Sequence, residues 1–345
     1  MAFKQLDILL GRSQGLGPAS WAIEKGLSAT SPDSLFSAAD FLQVADGFSL
    51  DLTQEMTAQK YATGQFDQHR SVPGTVSADA KITTYLDANA NSSHPYPGGA
   101  YDSFQMYLEC SGMTMTQGIG IMRTYQPVSD YTKWMACTLH KYTGDTVAGP
   151  ATNSLLTTAM GVMFNGVIKG EIGKPLSLEL TGKGAVSAMP ANVTYPTGPF
   201  TQLSDVIPAV LKAQAFTIAG ATYKLLTFEW DFGNKIELVK DMTAPFGFAY
   251  AEITDMAAKW KAKVYESPYG SGDNPFADMA AGTITDIGIV IGQPGSALTL
   301  GTGINSALKA QITAIKQGNE NGINTWDLDG IVIGNDWGLI VNDSE

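Results

Sequence analysis

Residues 226–266, LTFEWDFGNKIELVKDMTAPFGFAYAEITDMAAKWKAKVYE, decide how the chain is read. The stretch opens with Leu226, Phe228, Trp230 and Phe232 alternating with Thr227, Glu229 and Asp231. It closes with Trp260, Ala262 and Val264 alternating with Lys259, Lys261 and Lys263. Successive side chains of a strand point to opposite faces, so each run predicts a strand with one face buried and one wet. Between them lies an excursion over residues 233–250, rich in Met, Pro and Gly and longer than an ordinary hairpin connection.

The same outline occurs near the start. Phe48, Leu50 and Leu52 alternate with Ser49, Asp51 and Thr53; a polar excursion follows over residues 54–73, and strand character resumes over 75–86. Tyr101, Phe104 and Leu108 fall on one helical face with Gly112 as the stop, and Asn274-Pro275-Phe276 opens a short capped helix in the equivalent place. Further strands are predicted at 119–125, 133–141, 161–169, 176–181, 284–291, 310–315 and 326–333. The pattern predicts a duplicated, mainly β chain: an arm at 1–45 lying against a neighbouring surface, a first unit at 46–182, a proline-rich linker at 183–215 and a second unit at 216–345.

Bulk properties agree with that outline. A chain of 345 residues is long enough for two cores, and 44% hydrophobic residues place it among folded proteins. Only 16% of residues are charged and 37 are glycine, which fits many short strands and tight turns. The net charge of −12 argues against ordinary nucleic-acid binding, which needs Lys and Arg to neutralise phosphates. It leaves open a surface past which nucleic acid must slide, and equally a surface that is acidic for solubility alone. The uncharged stretches 146–168 and 287–308 are long enough to span a bilayer, but Pro150, Asn153 and Asn165 in one and Gln293, Pro294 and Asn305 in the other break them into short strands. No membrane insertion is expected. Asp7 interrupts the first apolar run, which therefore does not read as a secretory signal, and two cysteines make no disulfide scaffold.

Catalytic and metal chemistry finds no footing. His69, His94 and His140 share no ligand spacing, Cys110 and Cys137 read as small hydrophobes, and no G-x-S-x-G elbow is present. Asn319 to Gly322 and Asp327 to Gly330 hint at calcium loops but lack the ligand spacing and terminal Glu; turn chemistry accounts for both. No catalytic residue, metal or cofactor is expected.

The order of several segments resembles the tail tube (major tail) proteins of long-tailed, siphovirus-like bacteriophages. They are DLTQEMTAQKYATGQFDQHRSVPGTVSADAKITTYL (51–86), YLECSGM (107–113), YQPVSD (125–130), GEIGKPLSLELTGKG (170–184), FEWDFGN (228–234), AEITDMAAKWKAKVYE (251–266), LTLGTGIN (298–305) and AQITAIKQGNENGINTWDLDGIVIGNDWGLIV (310–341). The resemblance covers most of 44–182 and 216–341. It implies two tandem β-barrel or sandwich domains, each with a short flanking α-helix. It also implies a structural virion protein, located in the phage tail and assembled in the host bacterial cytoplasm, that polymerises into stacked rings. Such rings are commonly built from six barrels, so three chains would complete one if each carries two, and six otherwise. The tube encloses a tape-measure protein, ends on tail terminator and distal tail proteins, and passes double-stranded DNA without sequence preference during ejection.

Under that reading Asp51, Glu55, Glu229 and Asp231 are candidates to line the lumen. Duplex DNA carries one charge per ~1.7 Å, so a ring about one strand high faces on the order of ten phosphates, and a basic wall would trap it. Gln59, Tyr61, Phe66, His69 and Arg70 in the first excursion, with Met242, Phe246 and Phe248 in the second, are candidate inter-ring contacts. Lys259, Lys261 and Lys263 are taken to form a basic strip on an opposing face, either contacting a neighbouring subunit or guarding a strand edge. A carbohydrate-binding β-sandwich with exposed tyrosines such as Tyr61, Tyr96, Tyr265 and Tyr269, and a neck or decoration protein of the virion, remain the alternatives.

Overall fold

The computed structural model of the chain describes residues 5–15, 44, 48–57, 71–86, 103–117, 122–130, 134–145, 154–193, 213–266, 274–293, 296–301, 308–334 and 337–342. These residues are mainly β. The first half contributes β1 (Gln5–Gly15), β2 (Phe48–Thr57), β3 (Val72–Tyr85), β4 (Met113–Gln117), β5 (Met122–Pro127), β6 (Met135–Asp145), β7 (Ser154–Glu171), β8 (Ser177–Ala185) and β9 (Ala191–Val193). The second contributes β10 (Ala213–Ile218), β11 (Ala221–Tyr223), β12 (Leu225–Asp231), β13 (Asn234–Lys240), β14 (Phe248–Met256), β15 (Lys259–Tyr265), β16 (Ile284–Gln293), β17 (Ser296–Gly301), β18 (Leu308–Glu320), β19 (Ile323–Val332) and β20 (Gly338–Asn342). Helix α1 (Ser103–Glu109) precedes β4 and α2 (Pro275–Ala281) precedes β16.

All ladders are antiparallel, and β13 with β14 forms a separate hairpin. The backbone of the fold is an eight-strand run, β2-β3-β8-β7-β12-β15-β19-β18, in which each strand bonds the next. Its centre joins the two halves of the chain, where β7 pairs with β12 from Glu171 opposite Thr227 to Val167 opposite Asp231. β18 continues into β16, which pairs with β10 and β17, and β17 leads through β20 back to β5 of the first half. Strands of both halves thus share one sheet, and among the described residues no sheet closes on itself. The first strand, expected within a loosely patterned arm, pairs along its whole length with β6. The rest of the arm and residues 194–212 of the linker lie outside the described residues.

The decisive stretch folds as its alternation dictates. Phe228, Trp230 and Phe232 are buried, as are Trp260, Ala262 and Val264 opposite them. Leu226, expected inward, is half-buried and Leu225 takes the inward place, because a register shift between Leu225 and Thr227 moves the alternation by one. Trp337 packs against Trp230 and Phe232 with ring centroids 5.2 and 5.7 Å apart, so the C-terminal strand region closes the core over β12. Burying each of these large side chains contributes a few kcal/mol, which is why the aromatic positions and not the turns anchor the sheet.

The short helices end as the sequence indicates. The Asn274 side chain accepts from Ala277 N–H at α2's start, Pro275 follows, and Gly282 ends it in the left-handed region at φ 63°. The Asn321-Gly322 tip of the β18–β19 hairpin, with φ 52° and 86°, is a tight turn, and the Gly322 N–H bonds the Asn319 side chain at 2.8 Å.

Two positions test the packing. A methyl group at Gly330 would overlap the Trp260 indole and the Gln311 carbonyl, so Gly330→Ala should lower unfolding free energy by about 1–3 kcal/mol in urea titration. His140 on β6 is buried, and desolvation lowers its pKa from 6.5 to about 4. Its neutral form is the one folded, so its contribution is complete above pH 6.5 and is lost as pH falls towards 4, roughly 3 kcal/mol in all. Thermal melts across that window should show His140→Leu with a correspondingly flatter pH dependence.

Candidate assembly surface

One face of the eight-strand run packs on the core; the other is polar. Leu50, Ala78, Ala80, Leu178, Leu180, Ile168, Phe228, Trp230, Trp260 and Leu328 turn inward. The residues between them turn outward and form rows across the strands. In the central row Lys169 lies opposite Glu229, Glu229 opposite Lys261, and Lys261 opposite Asp329. Lys261 Nζ donates to Glu229 at 3.0 Å, and Lys169 Nζ reaches back to Glu179 of β8 at 2.5 Å. In the next row Lys263 lies opposite Asp327 and Asp327 opposite Lys316, with Lys263 Nζ donating to Glu320 at 2.5 Å. Hydrogen bonds from Lys261 to Glu229 and from Lys263 to Glu320 raise both ammonium pKa values, which keeps both groups charged across the physiological range.

The lysines are therefore not a separate strip. Lys259, Lys261 and Lys263 share a face with Glu229 and Asp231, because β12 and β15 are neighbours in register and outward positions on adjacent strands face the same way. Lys259 stands opposite Asp231 on one side and Ile331 on the other. Exposed pairs of this kind add little stability, about 0–1 kcal/mol each, but they make the face charge-balanced where the net charge alone pointed to an acidic one.

The remaining lumen candidates sit at the first edge of the run. Asp51 is exposed on β2, directly opposite Asp79 of β3, and Asp79 accepts a hydrogen bond from Thr53 Oγ1 at 2.9 Å. Two carboxylates facing each other across a ladder repel; Asp79 has Lys183 of β8 opposite it on its other side, whereas Asp51, on the edge strand, has no cation opposite it on the ladder. Glu55, farther out, accepts from Thr75 Oγ1 at 2.8 Å.

The second excursion is the largest departure from expectation. Most of it is not a loop but the β13–β14 hairpin, an arm that folds over the first half of the chain. Ile236, Leu238, Ala251, Ile253 and Met256 pack against Trp134, Ala136 and Met163. At its far end the Phe246 carbonyl accepts from Val76 N–H at 3.1 Å. Phe248 is buried and Phe246 half-buried, so of the three expected contacts in this excursion only Met242 is fully exposed at the tip. Gln59, Tyr61, Phe66, His69 and Arg70 lie outside the described residues.

A polar joint holds the root of the arm. Asp231 accepts from Asn165 Nδ2 at 2.9 Å and from Gly233 N–H at 2.8 Å; Asn165 Oδ1 accepts from Asn234 N–H at 2.8 Å. Asn234 Nδ2 donates to the carbonyls of Ser111 at 2.7 Å and Phe164 at 3.0 Å. Asp231, read from the sequence as a lumen carboxylate, thus also orients the bend into β13. Asn165, Asn234, Lys169, Glu179, Lys316, Asp327 and Asp329 escaped the sequence reading as site residues; the alternation over 165–171, 177–181 and 325–331 carries the signal that places Lys169, Glu179, Asp327 and Asp329 outward.

Among the described residues no group of three or more His, Cys, Asp or Glu is placed to hold a metal ion, and no helix is long and apolar enough to cross a membrane. In comparison with known proteins, no family model and no curated protein matches the chain.

The joint makes a measurable prediction. Asn234→Ala strands two carbonyls and should cost about 1–3 kcal/mol. It should also speed hydrogen exchange of the β13–β14 amides well above the acceleration seen in β18–β19.

Proposed function

We propose that the chain is a structural virion protein whose copies assemble into rings, and whose rings stack into the hollow tail tube of a long-tailed bacteriophage. One observation carries the reading: an eight-strand run that passes through both halves, is apolar on one face and charge-balanced on the other, and among the described residues is unpaired at the outer edge of β2 and along 316–320 of β18 and does not close. A sheet of this kind completes its backbone hydrogen bonding by joining further copies, and closure removes exposed edges altogether. The segments that resemble tail tube proteins include all or most of every strand of this run except β7, of which they hold only Gly170 and Glu171.

In that assembly each half of the chain acts as one barrel-like unit with its helix alongside, so three chains supply the six units of a ring. The polar face lines the lumen. Its alternating Lys, Glu and Asp rows offer passing DNA neither the field that traps phosphates nor strong repulsion, and DNA slides past without sequence preference. A tape-measure protein fills the lumen before ejection, and terminator and distal tail proteins cap the two ends.

The two rims of the sheet differ. One carries exposed Ile172 and Ile323 at the tips of the β7–β8 and β18–β19 hairpins; the other carries the arm with Met242 at its tip. Stacking brings the arm rim of one ring to the isoleucine rim of the next, burying side chains that otherwise face water.

Negative-stain electron microscopy of the purified protein tests the reading. Stacked rings or hollow cylinders are expected, and Ile172→Asp with Ile323→Asp should leave single rings that do not stack. Monodisperse monomers that bind glycans would instead favour a carbohydrate-binding sandwich.

A further inference from the structure

The two halves of the chain repeat not only a pattern but a set of registers. Leu50 lies opposite Ala80 as Trp230 lies opposite Trp260, and Lys81 opposite Thr181 as Lys261 lies opposite Asp329. Gly166 lies opposite Leu180 as Ile315 lies opposite Leu328. Residue types mark the same correspondence: Phe48 and Asp51 with Phe228 and Asp231, Lys81 and Tyr85 with Lys261 and Tyr265, Gly182 with Gly330, Glu171 with Glu320. The four strands β2-β3-β8-β7 are therefore matched one to one by β12-β15-β19-β18.

Within the chain the last strand of the first set, β7, pairs with the first strand of the second, β12. The equivalent edges at the two ends of the run have no such partner among the described residues. On β18, residues 308–311 pair with β16 while the same edge over 316–320 is open; on β2, the edge away from β3 is open. We infer that these two edges are one joint: residues 316–319 of β18 pair antiparallel with residues 48–51 of β2 from the next copy, repeating the β7–β12 ladder between chains. The register follows from the correspondence. Asn319 stands opposite Phe48 of the next copy, Gly318 opposite Ser49, Gln317 opposite Leu50 and Lys316 opposite Asp51, as Gly170, Lys169, Ile168 and Val167 stand opposite Phe228, Glu229, Trp230 and Asp231.

Two further observations agree with this register. It brings Lys316 opposite Asp51, whose partner within the chain is the second carboxylate Asp79, so the row across the joint runs Lys316, Asp51, Asp79, Lys183 and each end of the acidic pair meets a lysine. A slip of one residue would turn Lys316 to the apolar side. The second concerns the arm. Met56, in the outer part of the β2–β3 hairpin, holds the place that Ile236 holds in the β13–β14 arm. Ile236 packs on the first half of its own chain, whereas Met56 is 58% exposed and nearby Val72 43% exposed. In the joint, Met56 covers the end of β19 in the next copy, where Ile331 and Ile333 are half-buried. The occupant of both open edges is a second copy of the same chain.

This joint deepens the ring reading and rests on it for the number of copies, but is tested separately. Asp51→Cys with Lys316→Cys in one chain should, after mild oxidation, shift the protein on non-reducing gels to a covalently closed trimer. Either single variant should stay monomeric, the native Cys110 and Cys137 being buried. In a second arm, Lys316→Glu should abolish assembly and Lys316→Glu with Asp51→Lys should restore it. Rings seen by microscopy that neither cross-link at this pair nor respond to the charge exchange would overturn the joint while leaving the tube reading standing. Cross-linking at this pair in material that never forms rings would do the reverse.

Discussion

Everything on the polar face depends on the five residue pairs that join β7 to β12. They set two runs of strands, far apart in sequence, into one sheet with one inward and one outward face. Side chains alternate with a period of two, so a slip of one residue here would turn Phe228 and Trp230 to water and bury Glu229 and Asp231. The cost of exposing two large aromatics while burying two carboxylates far exceeds the net stability of an ordinary domain, which makes this register the one the chain adopts. The aromatic contacts of Trp337 with Trp230 and Phe232 lock it from the core side. The Asp231–Asn165–Asn234 hydrogen bonds lock it from the polar side.

The charge rows follow from that register and not from any strong pairing of their own. Exposed Lys–Glu pairs are worth little individually, and salt screens them over about 10 Å at 0.1 M. What they fix is the field: along the central row the sign alternates from strand to strand, so the face presents short-range texture and little net potential. A chain with a net charge of −12 therefore carries much of its excess acidity away from this face. In the proposed lumen, cancellation would do what acidity was expected to do, and with less repulsion to overcome.

Much of this was legible in the sequence, and the limits were physical. The strands at 226–232 and 259–265 were readable because one face of each is uniformly apolar, and the α2 cap because Asn-Pro at a helix start has a specific geometric use. The repeat was readable from Phe48 with Phe228 and Lys81 with Lys261. Which strands are neighbours was not, since periodicity fixes a residue's face but not its partner across the sheet. That is why Lys261 and Glu229 read as two surfaces and proved to be one ion pair. The arm was missed for a related reason: β13 and β14 mix Ile236, Leu238 and Ile253 with Lys235, Glu237 and Glu252 around a Pro- and Gly-rich tip, which by pattern alone looks like a loop. Its hairpin gains a buried face only because the first half of the chain lies beneath it.

The same dependence separates the two halves. The second half's arm finds its surface within the chain, on Trp134, Ala136 and Met163, and the second half's first strand finds its edge on β7. Among the described residues the first half's counterparts, Met56 and the outer edge of β2, have neither, although their sequence is patterned for both. Unpaired strand edges and exposed apolar side chains are liabilities for a protein that stays single, and single proteins blunt such edges with bulges, prolines or covering loops. In the joint inferred above, the complementary edge is β18 of an identical molecule, with Lys316 set against the two facing carboxylates of the first edge. A chain that satisfies a contact once internally and, among the described residues, leaves the matching edges unpaired at the two ends of the run has the geometry that a repeating assembly requires.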